Sequence, residues 1–256
     1  MVSVGLFALA FTCPLLGAGI GMAARSRLPG HHLGRDAIDV IKLAMGLMAT
    51  LVALTLGLLI SSANTYHATI ESEYRQILAK MVHLDEYLQA YGPETKDVRE
   101  RIRHVAARSF KQRWPTEDFG PAGPPSEGGR HRFVEIQRRI LELKPVDETR
   151  RWFQHQALQV TVQLSDLRWL LVSQGTGPAL LLPVFILIFL SVVAIFGSFG
   201  LYAPPTATLC TVLVLAALAI AGSTFLIVEL NSPFHGLLQI SSEGAHSLMQ
   251  SLAERL

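Results

Sequence analysis

The residues that could do chemistry in this chain are few. His67 and Glu71 sit four apart, on one face if helical, but no third ligand is near them in sequence. His31 and His32 are adjacent and point to different sides of a helix or strand. There is no His-Glu-x-x-His run, and Cys13 and Cys210 stand alone in apolar stretches. A Gly-rich phosphate loop followed by Lys-Ser or Lys-Thr is absent, as are Gly-x-Ser-x-Gly and any recognisable Ser/His/Asp spacing. The pattern gives no metal, no cofactor and no catalytic residues, and the expectation is a protein that is not an enzyme.

Three ionisable residues stand out by position. Glu229 closes a long uncharged run, and an ionisable group at membrane depth is a functional candidate. Its other reading is an anchor that faces headgroups or pairs with a basic residue. Asp39 and Lys42 precede another uncharged run, spaced to pair on a helix. The cluster Arg99, Arg101, Arg103, Arg108, Lys111 and Arg113, mixed with Glu94, Asp97 and Glu100, reads as a solvated helix face. Beside an anion path or lipid headgroups it would attract anions. A net charge of +2 is too small to argue for nucleic acid.

The elements that carry these residues are set by hydropathy. Half of the 256 residues are hydrophobic and 16% are charged, a balance suited to a multi-span membrane protein with one polar domain. Four stretches can span a bilayer as helices: Met1–Ala24, the run after Lys42, Ala179–Ala203 and Thr206–Val228. The first lacks the basic start of a signal peptide, and its apolar run is long for one. Pro14 would kink it, and Gly17, Gly19 and Gly21 thin one side. Arg25, Arg27 and Arg35 lie beside the spans on one side, and Arg75, Lys80 and Arg168 on the other, so the positive-inside rule does not choose an orientation.

The second span organises the rest. No charged side chain occurs between Lys42 and Glu71. One helix over 43–70 would be ~42 Å long, against a hydrocarbon core of ~30 Å, so it crosses the bilayer and continues beyond it. Gly46, Thr50, Ala53, Gly57, Ser61 and Asn64 recur at three- and four-residue steps, one continuous face. Such a face packs closely on another helix or lines a water path. Leu47, Leu51, Leu54 and Leu58 form a hydrophobic length that could gate such a path by dewetting.

The expected domains are 1–60 (two spans), 61–177 (a polar domain), 178–229 (two spans) and 230–256 (a tail). In the polar domain the first helix runs to Ala90, with Ile77, Met81, Leu84 and Leu88 on one face, and stops at Tyr91-Gly92-Pro93. A second follows from Glu94 to about Arg113, with Val98, Ile102, Val105 and Phe110 inward, and ends at Trp114-Pro115. Thr116 to Gly129 is rich in Gly and Pro and reads as a mobile loop. Helix resumes from Arg130 to Leu143, and Asp147 can cap a last helix to about Gln174 that carries Trp152, Leu158, Val162, Leu167 and Leu170. In the tail, Leu237, Ala245, Leu248, Leu252 and Leu256 share one face of an amphipathic helix. No segment alternates with period two, so the fold class is all-α, a four-span membrane protein with a helical insert.

Several motifs together resemble the bestrophin-like membrane proteins of bacteria. They are Arg27-Leu28-Pro29 with His31-His32-Leu33, Asp39-Val40-Ile41-Lys42-Leu43 and Gly57-Leu58-Leu59-Ile60-Ser61-Ser62-Ala63. Tyr91-Gly92-Pro93-Glu94, Trp114-Pro115, Arg168-Trp169-Leu170-Leu171, Phe199-Gly200-Leu201, Phe225-Leu226-Ile227-Val228-Glu229-Leu230, Pro233-Phe234 and Gly236-Leu237 continue it. The resemblance covers nearly the whole chain. It extends more loosely to bestrophins, which are pentameric anion channels with four spans, a cytosolic helical insert and a second span that lines the pore. It implies an oligomeric anion channel in the bacterial plasma (inner) membrane, with lipid and small anions as partners and the 61–177 domain cytoplasmic. The chain departs from bestrophins in having no aromatic constriction in the second span and no acidic calcium clasp. Asn231 and Ser232 stand where closer relatives carry an Asp-Arg pair. The alternative is a non-conducting scaffold or sensor that binds a partner or lipid. It predicts that the small face of the second span packs inside one subunit.

Overall fold

The computed structural model describes residues 2–25, 35–120, 129–174, 181–204 and 206–254. Every regular element among them is helical. In order they are α1 (Val2–Arg25), α2 (Arg35–Tyr91), the 3-10 turn Pro93–Thr95, α3 (Lys96–Arg113), α4 (Gly129–Glu142), α5 (Glu148–Gln174), α6 (Leu181–Tyr202), α7 (Ala207–Leu230) and α8 (Glu243–Glu254). Four of these, α1, α2, α6 and α7, are long and apolar enough to cross a membrane. The readings that fall on Arg27 to Leu33, on the Gly- and Pro-rich stretch 121–128, on Gly175 to Pro178, on Pro205 and on Leu256 lie outside the described residues.

The chain divides into two compact units, Met1–His67 with Gly177–Leu238, and Ala68–Thr176 with Gln239–Leu256; the division falls within α2. In the first unit, Ala18, Leu56, Ala63, Ile188, Val192, Ile195, Phe196, Leu213, Ala217 and Ile227 form one core. Small residues set its tightest contact. A Cβ at Gly17 would stand 2.9 Å from the Val193 carbonyl oxygen, one at Gly21 would collide with the Gly197 carbonyl, and one at Gly200 with the Ala18 carbonyl. Backbone therefore meets backbone between α1 and α6, the means by which helices gain dispersion contact in lipid. Gly19 is not part of this contact and has open space beside it. Hydroxyls in these helices are satisfied locally: Thr12, Thr50, Thr55, Thr211, Ser223 and Thr224 each donate to the carbonyl four residues earlier. Thr206 caps α7, accepting from the Leu209 amide at 3.3 Å.

The second unit is a soluble-type helical core. Ile70, Tyr74, Met81, Leu84 and Leu88 are buried along α2, and Val98, Ile102, Val105 and Phe110 along α3. The chain reverses between them because Gly92 holds φ +139°, a region that disfavours side chains, and Pro93 opens the next turn. The buried Thr95 hydroxyl lies 2.6 Å from the Leu88 carbonyl oxygen and 2.8 Å from that of Gly92. Trp114 ends α3, its amide bonded to the Phe110 carbonyl at 2.9 Å. Asp147 caps α5 through the Arg150 amide at 2.7 Å.

Three readings of this region need correction. Arg99 is not on a solvated face. It is buried and makes a bidentate pair with the buried Asp85 of α2, at 2.7 and 3.1 Å. Arg101 reaches Glu135 of α4 at 2.7 Å, and Arg139 of α4 pairs with Asp97 of α3, so part of the cluster ties helices together. On α5, Trp152, Val162 and Leu170 are exposed, and Ala157, Val160, Thr161, Leu164 and Leu171 make the buried stripe instead. In the tail the amphipathic helix begins at Glu243 and buries Ala245, Leu248 and Leu252. Leu237 precedes it in a turn and is 82% exposed.

Candidate functional site

The membrane half of α2 has two unlike sides. Leu56 and Ala63 are buried, and Met45, Met48, Ala49, Val52, Leu59 and Ile60 pack against the core of the first unit. The other side meets nothing among the described residues. Gly46, Thr50, Ala53, Gly57, Ser61 and Asn64 are all exposed, and so are Leu47, Leu51, Leu54 and Leu58. A Cβ at Gly46 or at Gly57 would find no atom within 4 Å. Only 6% of the most apolar stretch of α2 is buried, against 28% in each of the other three spans. Among the described residues, then, no helix packs on the small face. Among the described spans, glycine-mediated backbone contact joins α1 and α6.

At ~100° per residue the small row and the leucine row are centred ~90° apart, so both lie on one exposed arc of about half the helix circumference. Their chemistry differs along the axis. The Thr50 hydroxyl donates to the Gly46 carbonyl at 2.6 Å, and Thr65 donates to Ser61 at 3.0 Å, which spends their protons on backbone. The exposed Asn64 amide keeps two N–H donors and stands with the exposed Ser61 at the polar end of the row. The opposite end begins with Asp39 and Lys42, exposed and paired at 3.4 Å.

Glu229 is turned into the chain and does not face outward. It is in the last turn of α7, 2% exposed, and its Oε2 accepts the Leu237 amide at 2.6 Å and the Leu238 amide at 3.5 Å. Gly236, at φ +97°, lies directly under this carboxylate, where a Cβ would strike Oε2. The chain reverses after α7 through Ser232 N–H to Glu229 O (2.9 Å) and His235 N–H to Ser232 O (3.0 Å). A buried carboxylate that receives backbone amides organises this turn. His67 of α2 contacts the end of the same turn, its Nε2 2.9 Å from the Leu238 carbonyl oxygen, while Glu71 pairs with Arg75 at 2.5 Å. His67 and Glu71 therefore do not converge. Among the described residues no three His, Cys, Asp or Glu side chains are placed to hold a metal ion. The role of Glu229 was not readable from sequence, because its partners are backbone amides eight and nine residues on.

Comparison with known proteins gives one family and one fold. The model of the Bestrophin-like domain matches residues 12–245. Crystal structures of point variants of a bacterial bestrophin homolog from Klebsiella pneumoniae are similar. One is 13% identical with a TM-score of 0.68, covering 96% of this chain and 99% of that one. A second is 12% identical with a TM-score of 0.70, covering 96% and 97%. A structure described as a membrane protein is 13% identical with a TM-score of 0.67, covering 96% and 98%. Among curated proteins, none matches the sequence. At these identities the solved structures speak to the fold.

Proposed function

Because this chain belongs to the Bestrophin-like family, we propose that it is an oligomeric ion channel for anions, with α2 around the axis of a ring of identical copies. The observation that carries the reading is the exposed arc of α2. A span that leaves its small-residue face uncovered in one chain is suited to meet a copy of itself or water, whereas a larger share of the apolar stretch is buried in each of α1, α6 and α7. Leu47, Leu51, Leu54 and Leu58 supply a hydrophobic constriction that gates by dewetting. Gly46, Thr50, Ala53 and Gly57 allow close approach beside it. Ser61 and Asn64 supply the polar end, and the Asn64 amide is the donor offered to an anion.

The domain bounded by residues 61 and 177 is cytoplasmic in this proposal, in a bacterial inner membrane, with the bilayer and small anions as partners. Residues 1–60 and 178–229 provide the spans, and 230–256 the tail. Mass measurement of the detergent-solubilised protein tests the assembly: a ring-forming oligomer supports the proposal, and a monomer or closed dimer removes its basis. Imaging of single particles then reports the copy number and whether an axial opening exists.

A further inference from the structure

The last helix is joined to α2 through one carboxylate and a run of rings, none of which the conduction reading uses. Glu117, in the turn after α3, has both oxygens engaged by the C-terminal segment. Ser242 Oγ donates to Oε1 at 2.9 Å, and His246 Nε2 lies 2.8 Å from Oε2. The His246 ring stacks on Phe119, with centroids 4.5 Å apart and planes 22° from parallel. Phe119 is buried, its ring centroid 5.5 Å from that of Phe110 and 6.2 Å from that of Trp114. Those two rings meet Tyr74 of α2 edge-on, at 6.3 and 5.4 Å. A second contact is direct: a side chain at Gly244 would press on Leu78 Cδ1 of α2. Beneath these, Ala245, Leu248 and Leu252 are the buried face of α8.

We propose that α8 is a releasable latch on the 70–81 stretch of α2, closed by Glu117 through Ser242 and His246. The latch is suited to release because its polar clasp is small and reachable by water: Glu117 is 30% and His246 46% exposed, whereas Phe119 beneath them is 3% exposed. The Ser242 hydrogen bond, and after it His246, hold the Glu117 carboxyl below its ordinary range, so Glu117 is ionised at neutral pH. Arg113 of α3 and Tyr74 of α2 share the field of Glu117, Asp118 adjoins it, and Glu243 is the acidic group on α8 itself. The inference rests on the proposed role of α2 for its consequence, but its structural claim stands apart from conduction.

Hydrogen–deuterium exchange on the full-length protein in nanodiscs at neutral pH tests it, since no current is needed. Glu117→Gln and His246→Ala are expected to speed exchange over 243–254 by ~10-fold, and to speed it over 70–81 by a smaller but measurable factor. Ser242→Ala, which removes one hydrogen bond and little packing, gives the same pattern at reduced size. Faster exchange in α8 with 70–81 unchanged in all three variants overturns the latch, as does unchanged exchange in α8. Loss of conduction alone, with both segments responding as expected, leaves the latch standing and counts against the channel reading instead.

Discussion

Gly21 of α1 is pressed so closely on the Gly197 carbonyl of α6 that no Cβ fits between them, whereas Gly57 of α2 has open space on its side. Two glycines in two apolar helices thus have opposite meanings. One is occupied by a neighbour in the same chain, and the other meets none of the described residues.

Gly21→Ala should therefore destabilise the folded chain, by ~1–3 kcal/mol from overpacking against backbone that cannot move aside. Gly57→Ala should leave the stability of the single chain within ~0.5 kcal/mol and change assembly or current instead. Thermal unfolding in detergent, followed beside the oligomer mass, separates the two.

Asp85 and Arg99 are both buried and bonded to each other at two points. Arg99→Ala leaves a buried carboxylate uncompensated, and the expected cost is ~3–5 kcal/mol. Replacing both partners by leucine and methionine should recover a large part of that loss. A double-mutant cycle on the unfolding midpoint measures the coupling; additive effects would show that the pair is not a unit.

The arrangement around Glu229 predicts that Glu229→Ala frees the turn at 231–238, while Glu229→Gln, which keeps an acceptor, frees it less. Gly236→Ala meets both a positive φ and the carboxylate above it, and should cost ~1–3 kcal/mol. Limited proteolysis within 231–238 reads all three. Equal resistance in every variant would contradict the account of this turn.

Much of the fold was legible in the sequence, and for simple reasons. The uncharged runs are too long for anything but spans, and Gly92-Pro93 and Trp114-Pro115 are strong stops that end helices where hydrophobic periodicity also ends. The candidate face of α2 was legible as a face, because spacing alone places Gly46 through Asn64 on one side. What covers that face was not, since periodicity does not name a neighbour. Arg99 looked like its basic companions because its partner Asp85 is fourteen residues away on another helix. On α5 the choice of the buried stripe depended on small residues, Ala157 and Thr161, which hydropathy ranks below the exposed Trp152 and Leu170.

Glu117 supplies a pH test. Its carboxyl is held below the ordinary range by the Ser242 hydrogen bond first and by His246 after it. A carboxyl lowered in the docked state contributes its full stabilisation above the ordinary carboxylate range, and that contribution is lost as pH falls through the lowered value. Exchange over 243–254, corrected for the intrinsic pH effect, should therefore rise on acidification below that range. Glu117→Gln should flatten this acid limb.

Single-channel recording of the purified protein in planar bilayers tests the central claim most directly. The account predicts unitary currents carried by anions, altered in size or opening by Gly57→Leu and shifted toward cations by Asn64→Asp, with the oligomer intact in both. Silence across voltage, pH and calcium from protein that runs as a monomer in detergent would contradict it.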